Sequence, residues 1–206
     1  SADYSQIELR VIASLSGDNN MISAFKKNED IHSSTASKVY GVDISRVTNE
    51  QRSNAKIVNF GIIYGVSAFG LSNQSNLSRS EAKNMIESYF DAYPTLKNYI
   101  SNQINFAREN GYVETVLGRR RYLRDINARN PIVRGAAERN AVNAPVQGSA
   151  ADIIKIAMVN IFRKMSSENL TSKMLIQVHD ELVFEIHNQE IEKMKKLISN
   201  EMQRAF

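Results

Sequence analysis

Only two residues, His179 and Asp180, separate the apolar-rich runs Lys173 to Val178 and Glu181 to Ile186. A connection that short joins two strands as an antiparallel hairpin, and its turn presents a carboxylate at a strand end. Most of the remaining sequence has helical periodicity. Thr48-Asn49-Glu50-Gln51 has the form of a capping box, and the apolar-periodic run behind it continues through Phe60 and Ile63 without a proline, which predicts a helix over about 49–64. Ser78 to Glu81 repeats the box ahead of Met85, Ile86, Tyr89 and Phe90, and Pro94 opens a further helix ending near Gly111. Residues 112–123, with Gly118 before an arginine-rich run, predict a second, short hairpin carrying basic residues at its turn. Two more helices are expected after it, split near Pro145. The class is α+β, helix predominating, with no internal repeat or proline-rich linker to mark a domain boundary.

At 206 residues, 42% of them hydrophobic, the chain can fill one sizeable domain or two small lobes. No apolar run approaches the roughly 20 residues of a membrane helix and no signal-peptide pattern opens the chain, so no membrane partner and a cytoplasmic location are expected. The absence of cysteine excludes disulfides and thiolate metal sites, and three histidines argue against zinc. An ion would have to rely on oxygen or imidazole. The net charge of +4 is modest, yet Arg119, Arg120, Arg121, Arg124, Arg129, Arg134 and Arg139 crowd a stretch whose acids are Asp125 and Glu138. Such a cluster suits a polyanionic partner; a solvated arginine-rich face is the plainer alternative.

Arg52, Lys56, Phe60 and Tyr64 fall at i, i+4, i+8 and i+12 of the helix expected over about 49–64. Each step advances about 6 Å along the axis, so the four make a stripe of about 18 Å, comparable to an extended nucleoside triphosphate. Cations at the positive end of the helix dipole would meet phosphates, and aromatics further along would meet sugar and base. The same stripe is also what a surface helix shows when Arg and Lys snorkel over buried aromatics. Gly61 and Gly65 each cost about 1 kcal/mol relative to alanine, which is easier to rationalise where a ligand or a neighbouring backbone approaches closely.

Asp3 and Asp180 are a second ingredient. Singly, one suits a helix N-cap and the other a turn. Together, on two segments meeting at one sheet edge, they suit phosphoryl transfer, which uses a divalent pair about 4 Å apart. Magnesium prefers carboxylate and water oxygens, and substrate phosphates complete its octahedron.

Asp3-Tyr-Ser-Gln-Ile-Glu-Leu-Arg10, the Arg52 to Gly65 segment and Val178-His-Asp-Glu181 stand in the order of motifs A, B and C of the bacterial DNA polymerase I family, and resemble them. Asp30-Ile-His32, Gly118-Arg-Arg-Arg121 and Asn143-Ala-Pro-Val-Gln147-Gly extend the likeness over nearly the whole chain. The resemblance implies a right-hand polymerase: an antiparallel-sheet palm with helical fingers and the thumb absent. Residues 1–31 would be the first palm segment leading into fingers, 32–115 mainly fingers, and 116–206 mainly palm, incomplete at the C-terminus. The chain would thus begin inside motif A and stop before the final palm segments, with nothing resembling a nuclease domain.

By the same resemblance Asp3 and Asp180 bind two Mg2+ ions, for which Mn2+ can substitute. The backbone carbonyl of Tyr4 also ligates, with Glu181 supporting. His32, Arg52 and Lys56 hold the triphosphate, Arg52 and Lys56 also stabilising the leaving pyrophosphate. Phe60 packs on the incoming sugar and base, Tyr64 stacks near the template, and Gln6 joins the nucleotide site. Glu8 is a steric gate against a 2′-hydroxyl. Phe60 in place of tyrosine goes with poor acceptance of sugars lacking the 3′-hydroxyl. Arg139, Asn143, Gln147 and His179 meet the primer-template, whose minor groove offers acceptors that do not reveal base identity. Partners are then primer-template DNA and dNTPs, the enzyme a monomer. A non-catalytic nucleic-acid-binding module is the alternative from another class, against which the retention of both Asp3 and Asp180 argues; a reverse transcriptase or RNA polymerase is the rival among enzymes.

Overall fold

The computed structural model describes residues 1–206. In chain order the elements are β1 (Ala2–Asp3), α1 (Ile7–Ser16), α2 (Asn19–Lys26), α3 (Ile31–Tyr40), α4 (Asn49–Ile63), α5 (Ala68–Gln74) and α6 (Arg79–Ala92). They continue with α7 (Pro94–Asn110), β2 (Tyr112–Glu114), β3 (Arg120–Tyr122), α8 (Pro131–Ser167), β4 (Lys173–Val178), β5 (Glu181–Glu185) and α9 (Ile191–Gln203). No helix is long and apolar enough to cross a membrane.

The local signals act where the sequence places them. Both capping boxes close: Thr48 Oγ1 accepts from Gln51 N while Gln51 Oε1 accepts from Thr48 N, and Ser78 and Glu81 exchange the same pair of bonds. Pro94 is the first residue of α7, which Gly111 ends in the left-handed region at φ 75°. The β2–β3 hairpin turns through Gly118, also at φ 75°. β4 and β5 are joined by His179 and Asp180 alone, and β5 ends one residue short of the expected Ile186. The three-stranded sheet has the order β1-β5-β4, antiparallel throughout.

The expected break at Pro145 does not occur. α8 runs unbroken for 37 residues with Pro145 inside it and buried. A proline interior to a helix costs about 3 kcal/mol, but α8 serves every core of the molecule. Val146 and Ala150 pack with α1, α3, α4 and α6 in the main cluster, and Ala137 and Ala141 pack beneath the β2–β3 hairpin. Ile154, Ile161 and Met165 pack against Leu182 and α9. At about 1.5–3 kcal/mol for each large apolar side chain buried, tertiary packing outweighs the proline.

Candidate active site

β1 is too short to stand alone, and its pairing with β5 builds the centre of the site. Ala2 opposes Leu182 and Asp3 opposes Glu181. One step further, Tyr4 N donates to the Asp180 carbonyl at 3.3 Å, so Asp3 and Asp180 come side by side from opposite ends of the sequence. Asp3 ends a strand and caps no helix; α1 starts after Gln6, which holds a left-handed φ of 56° without a side-chain cap bond. Asp180 follows His179, another left-handed residue at φ 54°, whose carbonyl accepts from Gln177 Nε2 at 2.7 Å. Non-glycine residues in that region are uncommon and concentrate where function holds them. The Asp3 carboxyl is raised above its ordinary value, first by partial burial and then by the negative charges of Asp180 and Glu181.

A site of like charges favours a cation. No group of three or more His, Cys, Asp or Glu side chains gathers into a closed cage. A pair of carboxylates with open positions is the donor set that fits magnesium, which keeps its waters and takes substrate oxygens.

The four stripe residues of α4 do share its outer flank. Arg52 and Lys56 are exposed, Phe60 is half-buried, and Tyr64, at the C-cap, is 40% exposed. Arg52 places Nε 3.1 Å and Nη2 2.8 Å from the two Asp30 oxygens, whereas Lys56 has no acidic partner. The Phe60 ring lies 5.8 Å from that of His32. Tyr64 donates to Glu8 Oε2 at 2.6 Å, and burial followed by this bond pushes its hydroxyl up to about 12.

A cleft of about 450 Å³ draws Gln6, Glu8, Phe60, Tyr64, Gln147, His179 and Asp180 to one space. Lys56 borders an adjoining cleft of about 590 Å³ that shares Phe60 and Tyr64. His32 stands behind Phe60, and Asp3 faces a separate, mainly apolar cavity of about 890 Å³ beyond the sheet edge. On α8, Gln147 is exposed to the first cleft, and the Asn143 Oδ1 atom is buried without a hydrogen-bond partner. Arg139 reaches α4's end. A Cβ on Gly65, at φ 68°, would sit 2.5 Å from its Cγ, and one on Gly61 would sit 2.6 Å from Val66 Cγ1. Both glycines therefore answer to neighbouring protein side chains.

Sequence reasoning assigned no role to Asp30, which holds Arg52, or to Asn59, which holds His32 Nδ1 at 3.0 Å. Asp30 was visible as an N-cap, since Ser33 N donates to it at 2.7 Å. Asn59 was visible as a polar residue on the buried side of an amphipathic helix, next to Val58. Neither signal names the partner.

A sheet edge that brings Asp3 of β1 beside Asp180 of the β4–β5 hairpin is faced by a cationic and aromatic helix, and the chain belongs to DNA polymerase family A, whose family model matches residues 1–206. Among individual relatives, it is 52% identical over 204 residues to the DNA polymerase I of Caldicellulosiruptor bescii, covering 99% of this chain and 24% of that protein. It is likewise 52% identical over 207 residues to that of Streptococcus pneumoniae strain R6, covering 100% of this chain and 24% of that protein. The solved structure of the POL domain of Pol1 from M. smegmatis, in complex with DNA primer-template and dNTP, superposes with a TM-score of 0.95 at 46% identity, covering 99% of this chain and 36% of that one. The chain thus spans about a quarter of the length of the curated relatives it matches.

Proposed function

We propose that this chain carries the catalytic centre of a template-directed DNA polymerase, joining the nucleotidyl group of a dNTP to a primer 3′-hydroxyl. What carries this function is the β1–β5 register, which sets Asp3 beside Asp180, next to a cleft walled by Phe60 and Tyr64. Asp3 and Asp180, with the Tyr4 carbonyl, hold two magnesium ions, manganese substituting, and Glu181 supports them. Magnesium, when bound, lowers the pKa of the attacking hydroxyl and neutralises charge on pyrophosphate. Arg52, Lys56 and His32 bind the triphosphate, and the two cations offset the charge that develops as pyrophosphate leaves. Phe60 packs against sugar and base, Gln6 borders them, and Tyr64 stands at the template side. Its bond to Glu8 holds that carboxylate at the cleft, and Glu8 serves there as the gate against a 2′-hydroxyl.

Arg139, Asn143, Gln147 and His179 follow the primer-template. Their N–H donors suit the minor groove, where every base pair offers purine N3 and pyrimidine O2 acceptors. In this assignment residues 1–31 lead from palm into fingers, 32–115 are mainly fingers and 116–206 mainly palm, and the protein works as a monomer. The test is primer extension on a DNA template with magnesium and deoxynucleotides, wild type beside Asp180→Asn, repeated with native flanking sequence if this chain alone is silent. Extension that disappears in Asp180→Asn while DNA binding persists is the expected result. Silence in the extended wild type with DNA binding intact would instead indicate a nucleic-acid-binding module.

A further inference from the structure

His32 is 3% exposed, yet both of its ring nitrogens meet side-chain amides. Nδ1 lies 3.0 Å from Asn59 Nδ2, and Nε2 lies 3.3 Å from Gln6 Nε2. Asn59 begins a polar line that runs back into the helical core. Its Oδ1 accepts from Thr35 Oγ1 at 3.1 Å, and Thr35 Oγ1 is 2.9 Å from the Tyr93 hydroxyl. Asn59, Thr35 and Tyr93 are all fully buried. Such a line is costly in an apolar core unless each proton has an acceptor.

Counting protons fixes its direction. A neutral imidazole has one N–H and one lone pair, and an asparagine amide can turn over to serve either. With the proton on His32 Nδ1, Asn59 would turn its oxygen to the ring and its NH2 to Thr35. Thr35 and Tyr93 would then have two hydroxyl protons and only the contact between them, so whichever of the two accepts there is left with a proton that has no acceptor. In the opposite direction Tyr93 donates to Thr35, Thr35 to Asn59, and Asn59 to Nδ1, so every hydroxyl proton of the line has an acceptor; the second Asn59 amide proton has no partner in either direction and does not distinguish them. Burial pushes the Tyr93 hydroxyl up to about 12, so it keeps the proton that starts the line.

We infer that Tyr93, Thr35 and Asn59 are positioning residues that lock His32 as the neutral tautomer protonated on Nε2, aiming an uncharged N–H donor at the triphosphate. The role, though not the tautomer, rests on the assignment of His32 to the phosphates. Burial disfavours the charged ring, and Arg52 and Lys56 act in the same direction against Asp30. A neutral donor therefore adds a phosphate contact without adding a third positive charge beside those two. Gln6, with its amide turned by half a revolution, offers Oε1 to Nε2 until a phosphate oxygen replaces it.

Long-range proton–nitrogen NMR on the chain labelled with 15N-histidine reads which ring nitrogen bears the proton. The chain has three histidines, and the His32 signals are those lost in His32→Gln. The expected result at pH 7 is a single tautomer, Nε2 protonated and Nδ1 bare. Thr35→Val keeps the volume and frees the Asn59 amide, so the two nitrogen signals should move toward an average. Asn59→Asp, which only accepts, should move the proton to Nδ1. A wild-type ring protonated on Nδ1 or already averaged overturns the inference, as does a folded Thr35→Val with unchanged signals. Should Thr35→Val not fold by circular dichroism, Asn59→Asp decides alone, an unmoved proton overturning the inference. Adding dATP should then shift the Nε2 signal; an unshifted Nε2 on a correctly locked ring removes the phosphate role and leaves the relay standing.

Discussion

Replacing Asp30 by asparagine should lower stability and raise nucleotide affinity at once. The Asp30 carboxylate takes both arms of the Arg52 fork, at 3.1 and 2.8 Å, and also accepts the Ser33 amide at 2.7 Å where α3 begins. Asparagine keeps the cap and loses the charge. Burial pushes Asp30 upward, but hydrogen bonds from Arg52 and Ser33 outweigh it and hold its pKa at about 2 instead of 3.8. The two side chains are 44% and 38% exposed, so solvent screening leaves the pair contributing about 1 kcal/mol, or about 2–4 °C in melting temperature for a chain of this size. Because the folded pKa is depressed, this contribution is complete above pH 3.8 and disappears as the pH falls through about 2, where the variant's deficit should close. A triphosphate that takes Arg52 must overcome the same attraction, so its removal should tighten dNTP binding about five-fold. Thermal melts at pH 7 and at low pH, with a fluorescence titration of dNTP, measure both effects. Weaker nucleotide binding in Asp30→Asn would refute the competition and make Asp30 an anchor that holds Arg52 in its working pose.

Gly65→Ala forces a side chain onto φ 68° and against Arg139 Cγ, and should lower stability by about 1–2 kcal/mol while weakening primer-template binding through the displaced Arg139; thermal melts beside a DNA titration check both, and unchanged melting refutes the strain. Arg119→Ala leaves the buried Asp152 carboxylate, now held at 3.0 Å, without its cation, at about 2 kcal/mol. Arg120→Ala, whose partner Glu114 is more exposed, should cost under about 1 kcal/mol; urea unfolding that ranks the two the other way contradicts the assignment. Phe60→Tyr should raise use of 2′,3′-dideoxynucleotides in competition with dNTPs, read from termination bands in primer extension, and identical band patterns would remove Phe60 from the sugar contact.

What the sequence made legible was local chemistry. The two capping boxes, Pro94 at a helix start, Gly111 and Gly118 at positive φ and the two-residue loop at His179 and Asp180 all act through a few neighbouring residues. Pro145 is the instructive failure. Its local effect is real, but α8 contacts three separate clusters, and nothing near Pro145 in the sequence announces them. The α4 stripe of Arg52, Lys56, Phe60 and Tyr64 was readable from spacing, Asp3 and Asp180 as a candidate pair of carboxylates, and the other candidate residues only from the family resemblance, yet the register that pairs β1 with β5 was not readable at all. β1 is two residues long, too short for any periodicity, and its partner lies at Glu181 and Leu182. Asp30 and Asn59 escaped for a similar reason, since each acts on a side chain from another helix.

The halves of the site belong to different cores. His32 and the buried face of α4 are set in the cluster built mainly from α1 to α6 with Val146 and Ala150 of α8, while Asp180 and Glu181 adjoin Leu182 in the cluster of α8 and α9. Close-packed cores deform little, so each half keeps its own geometry: the cations and aromatics along one helix, the carboxylates across one strand pair. A change in the distance between halves must be absorbed where they meet. There the ties are the unbroken helix α8, which packs in both clusters, Tyr4 and Ile153, which touch both, and the left-handed Gln6, which links β1 to α1 and lies 3.3 Å from His32. The proposed phosphoryl transfer would use that arrangement: charge preorganised on both sides of the reacting phosphate, and a gap between that admits a nucleotide and then excludes water.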